Sequence, residues 1–233
     1  MMKVSVCMAT FNGAKFIEQQ IQSILKQLSP DDEIIISDDG STDSTAEIIN
    51  GFNDVRIQFF LNTGKKGVAG NFENALTKAT GEYIFLSDQD DVWLDKKIST
   101  IITELQKYDC VLHNGHLIDG KGDFLNNDLF SIYNTRSGYC ANLIRNTYVG
   151  CCMAFRSDLL KSILPIPDKI TMHDMWIGLL AEKLRKTKII SDNLILYRRH
   201  GNNASSTSKK STYSRYFQLK YRLVMLYYTL LRN

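Results

Sequence analysis

The sequence predicts an α/β protein with a mostly parallel central sheet flanked by helices, and three observations carry that prediction. Short β-branched runs alternate with amphipathic stretches through the first half of the chain, the pattern of βαβ units with right-handed crossovers. One run, Glu33–Ser37 (EIIIS), is continuously apolar at its centre, as in a strand covered on both faces. Three polar clusters, Thr10-Phe11-Asn12, Asp38-Asp39-Gly40-Ser41 and Asp88-Gln89-Asp90-Asp91, each follow a predicted strand. In open α/β sheets, ligands bind beyond the carboxyl ends of the strands.

The elements follow in order. Lys3–Met8 (KVSVCM) alternates and is β-branched, which predicts a strand. Phe16, Ile17, Ile21, Ile24, Leu25 and Leu28 form a helical stripe that Ser29-Pro30-Asp31-Asp32 breaks. After the strand Glu33–Ser37, Ser41 is placed to cap a helix reaching Asn50 and stopping at Gly51. Arg56–Phe60 reads as a third strand, Asn71–Thr80 as a helix ended by Gly81, and Tyr83–Ser87 as a fourth strand. A helix from Asp95 to Lys107 and a strand Val111–His113 follow. Asn114–Arg145 is polar and Gly/Asn-rich with little periodicity, and Ser205–Thr212 reads as a linker.

A chain of 233 residues that is 44% hydrophobic and 23% charged can bury a sizeable core without staples. Its five cysteines are odd in number and include no C-x-x-C, so reduced, buried thiols are expected in preference to a disulfide framework or a zinc site. The first ten residues do not read as a signal peptide, and no apolar run is long enough to span a bilayer. A cytoplasmic location is therefore expected. Charge is uneven: no acid follows Asp192, and the segment after it carries +8 against +3 for the whole chain, leaving −5 on the body.

The acidic clusters set the chemistry. Three carboxylates within Asp88–Asp91 repel one another unless a cation or solvent relieves them. Mg²⁺ characteristically takes one or two carboxylates together with substrate phosphates; a solvated acidic turn is the plainer alternative. Asp38-Asp39-Gly40-Ser41 is a turn signal in itself, yet an aspartate there has the acceptors for a base imide or a ribose hydroxyl. Phe11 serves equally for stacking on a base or for packing.

Together these stretches resemble family 2 of the inverting glycosyltransferases with the GT-A fold. The carriers are Ser5–Gly13 (SVCMATFNG), Ile36–Asp43 (ISDDGSTD) and Gly81–Trp93 (GEYIFLSDQDDVW), the last being the most specific. The likeness is to the branch that includes bacterial rhamnosyltransferases and O-antigen and capsule enzymes. It implies a catalytic domain over residues 1–205, split into a nucleotide-binding half (1–112) and an acceptor-binding half (113–205), with a basic aromatic tail over 206–233. It places Thr10, Phe11, Asn12, Asp39, Gly70, Asn71, Asp88 and Arg198 around the donor nucleotide. Phe11 stacks on the base and Asp39 reads the uracil or thymine imide. Asp88 and Asp90 fill a D-x-D motif, with Asp90 a direct ligand of Mg²⁺ or Mn²⁺ and Asp88 near the ribose.

The resemblance extends further along the chain. His173-Asp174-Met175-Trp176 opens a predicted helix, and Asp174 matches the catalytic base. An acceptor hydroxyl is a poor nucleophile until its proton is removed; a carboxylate that merely complements the helix dipole is the alternative. Tyr197–Ser205 (YRRHGNNAS) resembles a late family segment in which His200 is a third metal ligand or contacts the diphosphate, and Arg198 and Arg199 meet the diphosphate. Gly150–Arg156 (GCCMAFR) matches a segment lining the site, expected as a strand. The implied substrates are a dTDP- or UDP-linked sugar and a glycan or lipid-linked sugar acceptor in surface polysaccharide synthesis.

Lys209–Asn233 mixes aromatic and aliphatic residues with six cations and no acids, the composition of an interfacial helix on an anionic membrane. A helix packed on the catalytic body or on a second subunit is the alternative. Nucleic acid is not an expected partner, because the basic charge is confined to an aliphatic-rich tail. A nucleotidyltransferase would share the acidic metal site, but Ala9-Thr10-Phe11-Asn12-Gly13 is not the glycine-rich basic loop it would carry. A phosphate-receiver module would use only Asp38-Asp39, and an inactive nucleotide-sugar-binding scaffold would not need the full acidic set.

Overall fold

The computed structural model describes residues 3–201 and 214–232. The predicted linker and the 205/206 boundary lie outside the described residues. The first half is β1 (Val4–Thr10), α1 (Ile17–Leu25), β2 (Glu33–Asp38), α2 (Thr45–Gly51), β3 (Ile57–Leu61), α3 (Val68–Leu76), β4 (Tyr83–Asp88), β5 (Val92–Trp93) and α4 (Lys97–Leu105). The second half is β6 (Cys110–Asp119), β7 (Phe124–Asp128), α5 (Leu129–Tyr133), α6 (Tyr139–Ile144), β8 (Met153–Arg156), α7 (Leu160–Ile163), α8 (His173–Leu184), β9 (Thr187–Arg199) and α9 (Arg215–Leu230).

The strands form one sheet in the order β3-β2-β1-β4-β8-β6-β9-β5, with β7 on β6. β3, β2, β1 and β4 are mutually parallel, while β8 enters antiparallel to both β4 and β6. The chain works outward from β1 to β3, then returns to place β4 on β1's other side. Crevices for ligands form at such reversals. Register makes the rim level: Thr10 pairs with Asp38 and Ala9 with Asp88.

Both faces of the sheet are buried, which is why its central strands are apolar throughout. Val4, Val6 and Met8 face a core shared with α1, α2 and α4. Cys7, Ile35, Ile84 and Leu86 face a second core closed by α3, α8 and Met225 of α9. Cys7, Cys110, Cys151 and Cys152 are buried free thiols and Cys140 is an exposed one.

Three expectations need correction. Ser44, not Ser41, stands at the N-cap of α2; Ser41 instead donates its hydroxyl to Asp38 at 2.5 Å, a local turn bond that competes with capping. Helix α3 begins at Val68 rather than Asn71, after Gly67 at φ +88°. The predicted Val111–His113 strand is the ten-residue β6, whose register shifts between Leu112 and His116 interrupt its alternation. The tail forms α9, which buries Met225 and Thr229 and so packs on the body. Its opposite face exposes Tyr216, Leu219, Leu223, Tyr227 and Leu230. No described helix is long and apolar enough to cross a membrane.

Candidate active site

The rim is assembled by cross-links between strand ends. The Asn71 amide donates to the Thr10 carbonyl at 2.9 Å, and its oxygen accepts from the Ser37 hydroxyl at 2.6 Å. Thr10 in turn donates to Asp38 at 2.9 Å. Thr10 and Asn71 therefore sit buried as struts beneath the rim. Gln89, inside the D-x-D sequence, clamps the backbone of Phe11 from both sides: its oxygen accepts Phe11 N–H at 2.9 Å and its amide donates to the Phe11 carbonyl at 3.0 Å. A Cβ on Gly13 would fall 2.2 Å from that same Gln89 oxygen, so only glycine lets the clamp close.

Above these struts stand groups nearer the surface. Phe11 is 54% exposed just after β1. Asn12, at φ +49°, turns its oxygen onto the Thr42 N–H at 2.8 Å. Asp39 accepts the Gly67 N–H at 2.7 Å and the Asn62 amide at 3.0 Å, with Lys66 at 3.5 Å. Gly70 lies under this loop, where a Cβ would meet the Lys65 carbonyl at 2.1 Å.

The acidic loop after β4 is held from both flanks. Gln20 of α1 donates to Ser87 and to the Asp88 carbonyl at 2.8 and 3.1 Å. Arg198 of β9, itself buried, donates its backbone N–H to Asp91 at 2.9 Å and its Nε to the Asp90 carbonyl at 2.8 Å. Its terminal nitrogens reach Gln19 at 2.7 Å and the Asp119 carbonyl at 3.4 Å. Arg198 thus lies beneath the loop. His200 Nε2 is 2.8 Å from Asp90 Oδ2.

Negative charge is concentrated here. Burial, with the charges of Asp90 and Asp174, pushes the Asp88 carboxyl up to about 7. Burial, with the charges of Asp90 and Asp88, also pushes Asp91 well above the usual carboxylate range, and Asp91 Oδ2 is buried with no hydrogen-bond partner. Asp174, in the first turn of α8, is pushed up to about 6 by burial, partly opposed by the Met175 N–H at 2.7 Å and by Asn146 at 3.5 Å. Carboxylates crowded until they resist ionisation, one with an orphaned buried oxygen, are suited to a hard divalent cation. Asp88, Asp91 and Cys151 bring possible ligand atoms within 4.8 Å of one another. The Cys151 thiol is held protonated, its ionisation disfavoured by its bond with Cys152 and by burial. That neutral sulfur is a poor partner for Mg²⁺ or Mn²⁺, so the oxygen donors are the relevant ones.

Residues beyond those predicted complete the site. Lys97 is fully buried beside the cluster, bonded to the Cys151 carbonyl at 2.9 Å and lying 4.0 Å from the Trp93 ring. Burial pushes it down to about 8 despite the carboxylates nearby. In sequence it looks like surface charge; the i, i+4 spacing from Trp93 is the one signal of its inward turn. His173 stacks on Phe72 at 4.0 Å and is driven down to about 3 by burial. That neutral ring joins α3 to the start of α8 as a packing element.

The overall fold matches solved structures. Staphylococcus aureus TarS 1–349, in complex with UDP-GlcNAc, superposes with a TM-score of 0.74 at 20% identity, over 97% of this chain and 66% of that one. Glucosyl-3-phosphoglycerate synthase of Mycobacterium tuberculosis, in complex with Mn²⁺, UDP and phosphoglyceric acid, gives 0.60 at 15% identity, over 85% of this chain and 72% of that one. The fold is GT-A, the expected class. In sequence, residues 5–164 match the profile of Glycosyl transferase family 2. WfaP of Escherichia coli, a UDP-Glc:α-D-GlcNAc-diphosphoundecaprenol β-1,3-glucosyltransferase, is 31% identical over 97% of this chain and 91% of its own length. The chain belongs to glycosyl transferase family 2.

Proposed function

We propose that this glycosyltransferase moves a hexosyl group from a UDP-linked sugar to a hydroxyl of a lipid-linked sugar, with inversion, in bacterial surface polysaccharide synthesis. The observation that supports this reading is the grouping of acids: Asp174, in the first turn of α8, is near enough to Asp88 for its charge to be among the causes that raise that carboxyl. The relative WfaP supports the choice of a UDP donor and a diphosphoundecaprenol acceptor.

In this reading Phe11 stacks on the base while Asp39 accepts its imide proton. Asp88, Asp90 and His200 would hold a divalent cation, which supplies charge stabilisation for a departing diphosphate. Arg198 orients the acidic loop from below. Asp174 removes the acceptor hydroxyl proton as that oxygen attacks the anomeric carbon from the face opposite the leaving group. The bond from the anomeric carbon to the diphosphate oxygen breaks as the new glycosidic bond forms, and the transition state carries oxocarbenium character.

A thermal-shift panel of UDP- and dTDP-sugars with Mg²⁺ and Mn²⁺ tests the donor, since stabilisation at fixed concentration tracks affinity. A UDP-hexose should give the largest shift, and the released product should be nucleoside diphosphate. Release of pyrophosphate would instead point to a nucleotidyltransferase. Phe11→Ala should weaken UDP binding by roughly ten-fold or more, because stacking a base on an aromatic ring contributes about 1–3 kcal/mol. Calorimetry checks this, and unchanged affinity would take Phe11 out of the base site.

The same reading seats the exposed stripe of α9 on the inner leaflet of the plasma membrane. Arg215, Lys220 and Arg222 accompany that stripe, and the segment has no acid to repel anionic lipid. The protein should co-sediment with vesicles containing phosphatidylglycerol and not with purely phosphatidylcholine vesicles. Leu219→Glu with Leu223→Glu should abolish the binding; equal sedimentation of parent and variant would remove the membrane from the proposal.

A further inference from the structure

Helix α8 begins without a capping side chain of its own: Met172 occupies its N-cap position and makes no side-chain cap bond. Backbone amides at a helix start need acceptors from elsewhere. Here the acceptor comes from α9. The Tyr221 hydroxyl oxygen accepts the backbone N–H of Thr171 at 3.1 Å and of Met172 at 3.0 Å. Asp174 stands two residues further on.

The rest of α9 runs along the same helix. The hydroxyls of Tyr139 and Thr229 meet at 2.6 Å. Lys183, in the last turn of α8, donates to the Thr229 and Arg232 carbonyls at 2.9 and 2.6 Å. Arg232 reaches the Leu164 carbonyl at 3.3 Å and lies 5.8 Å from the Trp176 ring. Helix α8 is thereby held by α9 near both ends, and at the end that carries Asp174 the contact from α9 is the Tyr221 oxygen, beside the His173 stack on Phe72.

We infer that Tyr221 is a positioning residue for Asp174, through which the C-terminal helix sets the geometry of the base; this rests on the reading of Asp174 proposed above. One oxygen taking two successive amides fixes both the place and the rotation of the turn that follows. Asp174 is tied to that turn, with Oδ1 on the Met175 N–H at 2.7 Å. Its other oxygen, which meets the Asn146 amide at 3.5 Å, therefore points where the turn directs it. Catalytic groups misplaced by about 1 Å lose on the order of 100-fold in rate.

Tyr221→Phe keeps the ring and removes the oxygen, and Tyr228→Phe, at a partly buried tyrosine of α9 packed against the second core, is the control. In Tyr221→Phe, amide hydrogen exchange at residues 171–175 should speed up about ten-fold, the effect of losing one net hydrogen bond. With the donor chosen by the panel, kcat should fall by at least about ten-fold at unchanged donor KM. Affinity for UDP with Mn²⁺, exchange in β1–β4 and the turnover and exchange of Tyr228→Phe should stay at parental values. Parental exchange at residues 171–175, or a loss of UDP affinity equal to the loss of turnover, overturns the inference. Near-normal turnover in Asp174→Asn removes the base and this inference with it. Collapse in Asp174→Asn beside normal turnover in Tyr221→Phe removes this inference alone.

Discussion

Replacing Asp174 with asparagine is expected to lower turnover by about 10³-fold, within the range that general-base catalysis supplies. Asparagine matches the size of the carboxylate and can still accept the Met175 N–H, so helix α8 should keep its start. Donor binding, measured as UDP affinity with Mn²⁺, should change by less than about two-fold, since a group acting only in the transition state leaves ground-state binding alone. The parent should also show an ascending pH limb. Burial raises Asp174 to about 6, so the proton-accepting form is lost below that value and gained above it. The kcat profile should climb through about pH 6 and level off, and Asp174→Asn should lack the limb. Turnover within a few-fold of the parent, with the limb intact, would end the assignment.

The second large effect lies at Asp90. Its Oδ2 is 2.8 Å from His200 Nε2, and its charge is among the causes that raise Asp88 and Asp91. Removing an outer-shell partner of a bound metal costs about 10- to 100-fold in affinity, so removing a direct ligand should cost at least about 100-fold. Asp90→Ala should therefore lose the metal-dependent part of UDP affinity and keep the weaker metal-independent part, which Phe11 and Asp39 supply. Relieved of a neighbouring charge, Asp88 should ionise more readily in the variant. A titration in which Mn²⁺ strengthens UDP binding as much in Asp90→Ala as in the parent would remove Asp90 from the metal site. Because metal binding displaces protons from crowded carboxylates, Mn²⁺ affinity in the parent should weaken as pH falls below about 7.

The first four strands were legible because they are short apolar runs with turn chemistry between them; in β1, β2 and β4 burial on both faces leaves little room for other patterns. The stretch 114–145 was not. There β6 carries two register shifts, which break a period of two. Helices α5 and α6 are five and six residues long, too short for a 3.6-residue period to repeat. At the candidate site, Phe11, Asp39, Asp88, Asp90 and Asp174 stand out in the sequence because each ends or follows a strand or opens a helix, the positions that ligands favour in α/β sheets. Ser41 misled because the hydroxyl that suits a helix cap suits the Asp38 turn as well. Lys97, the Gln89 clamp and Tyr221 were hidden for one reason. Their roles depend on partners 54, 78 and about 50 residues away, and no local pattern encodes such distances.

The bond from Arg198 to the Asp90 carbonyl spans 108 residues, and that separation has a consequence for how the protein is born. Strands β1 to β4 complete their parallel pairing with one another from the first 88 residues. The loop that follows them stays without its brace until β9 has left the ribosome. At about 5–20 residues per second the wait is roughly 5–20 s. During that interval the nascent chain holds a finished parallel sheet whose acidic edge is still loose. Competence to engage a metal-bound nucleotide should thus arrive late in translation, in one step, when the brace closes.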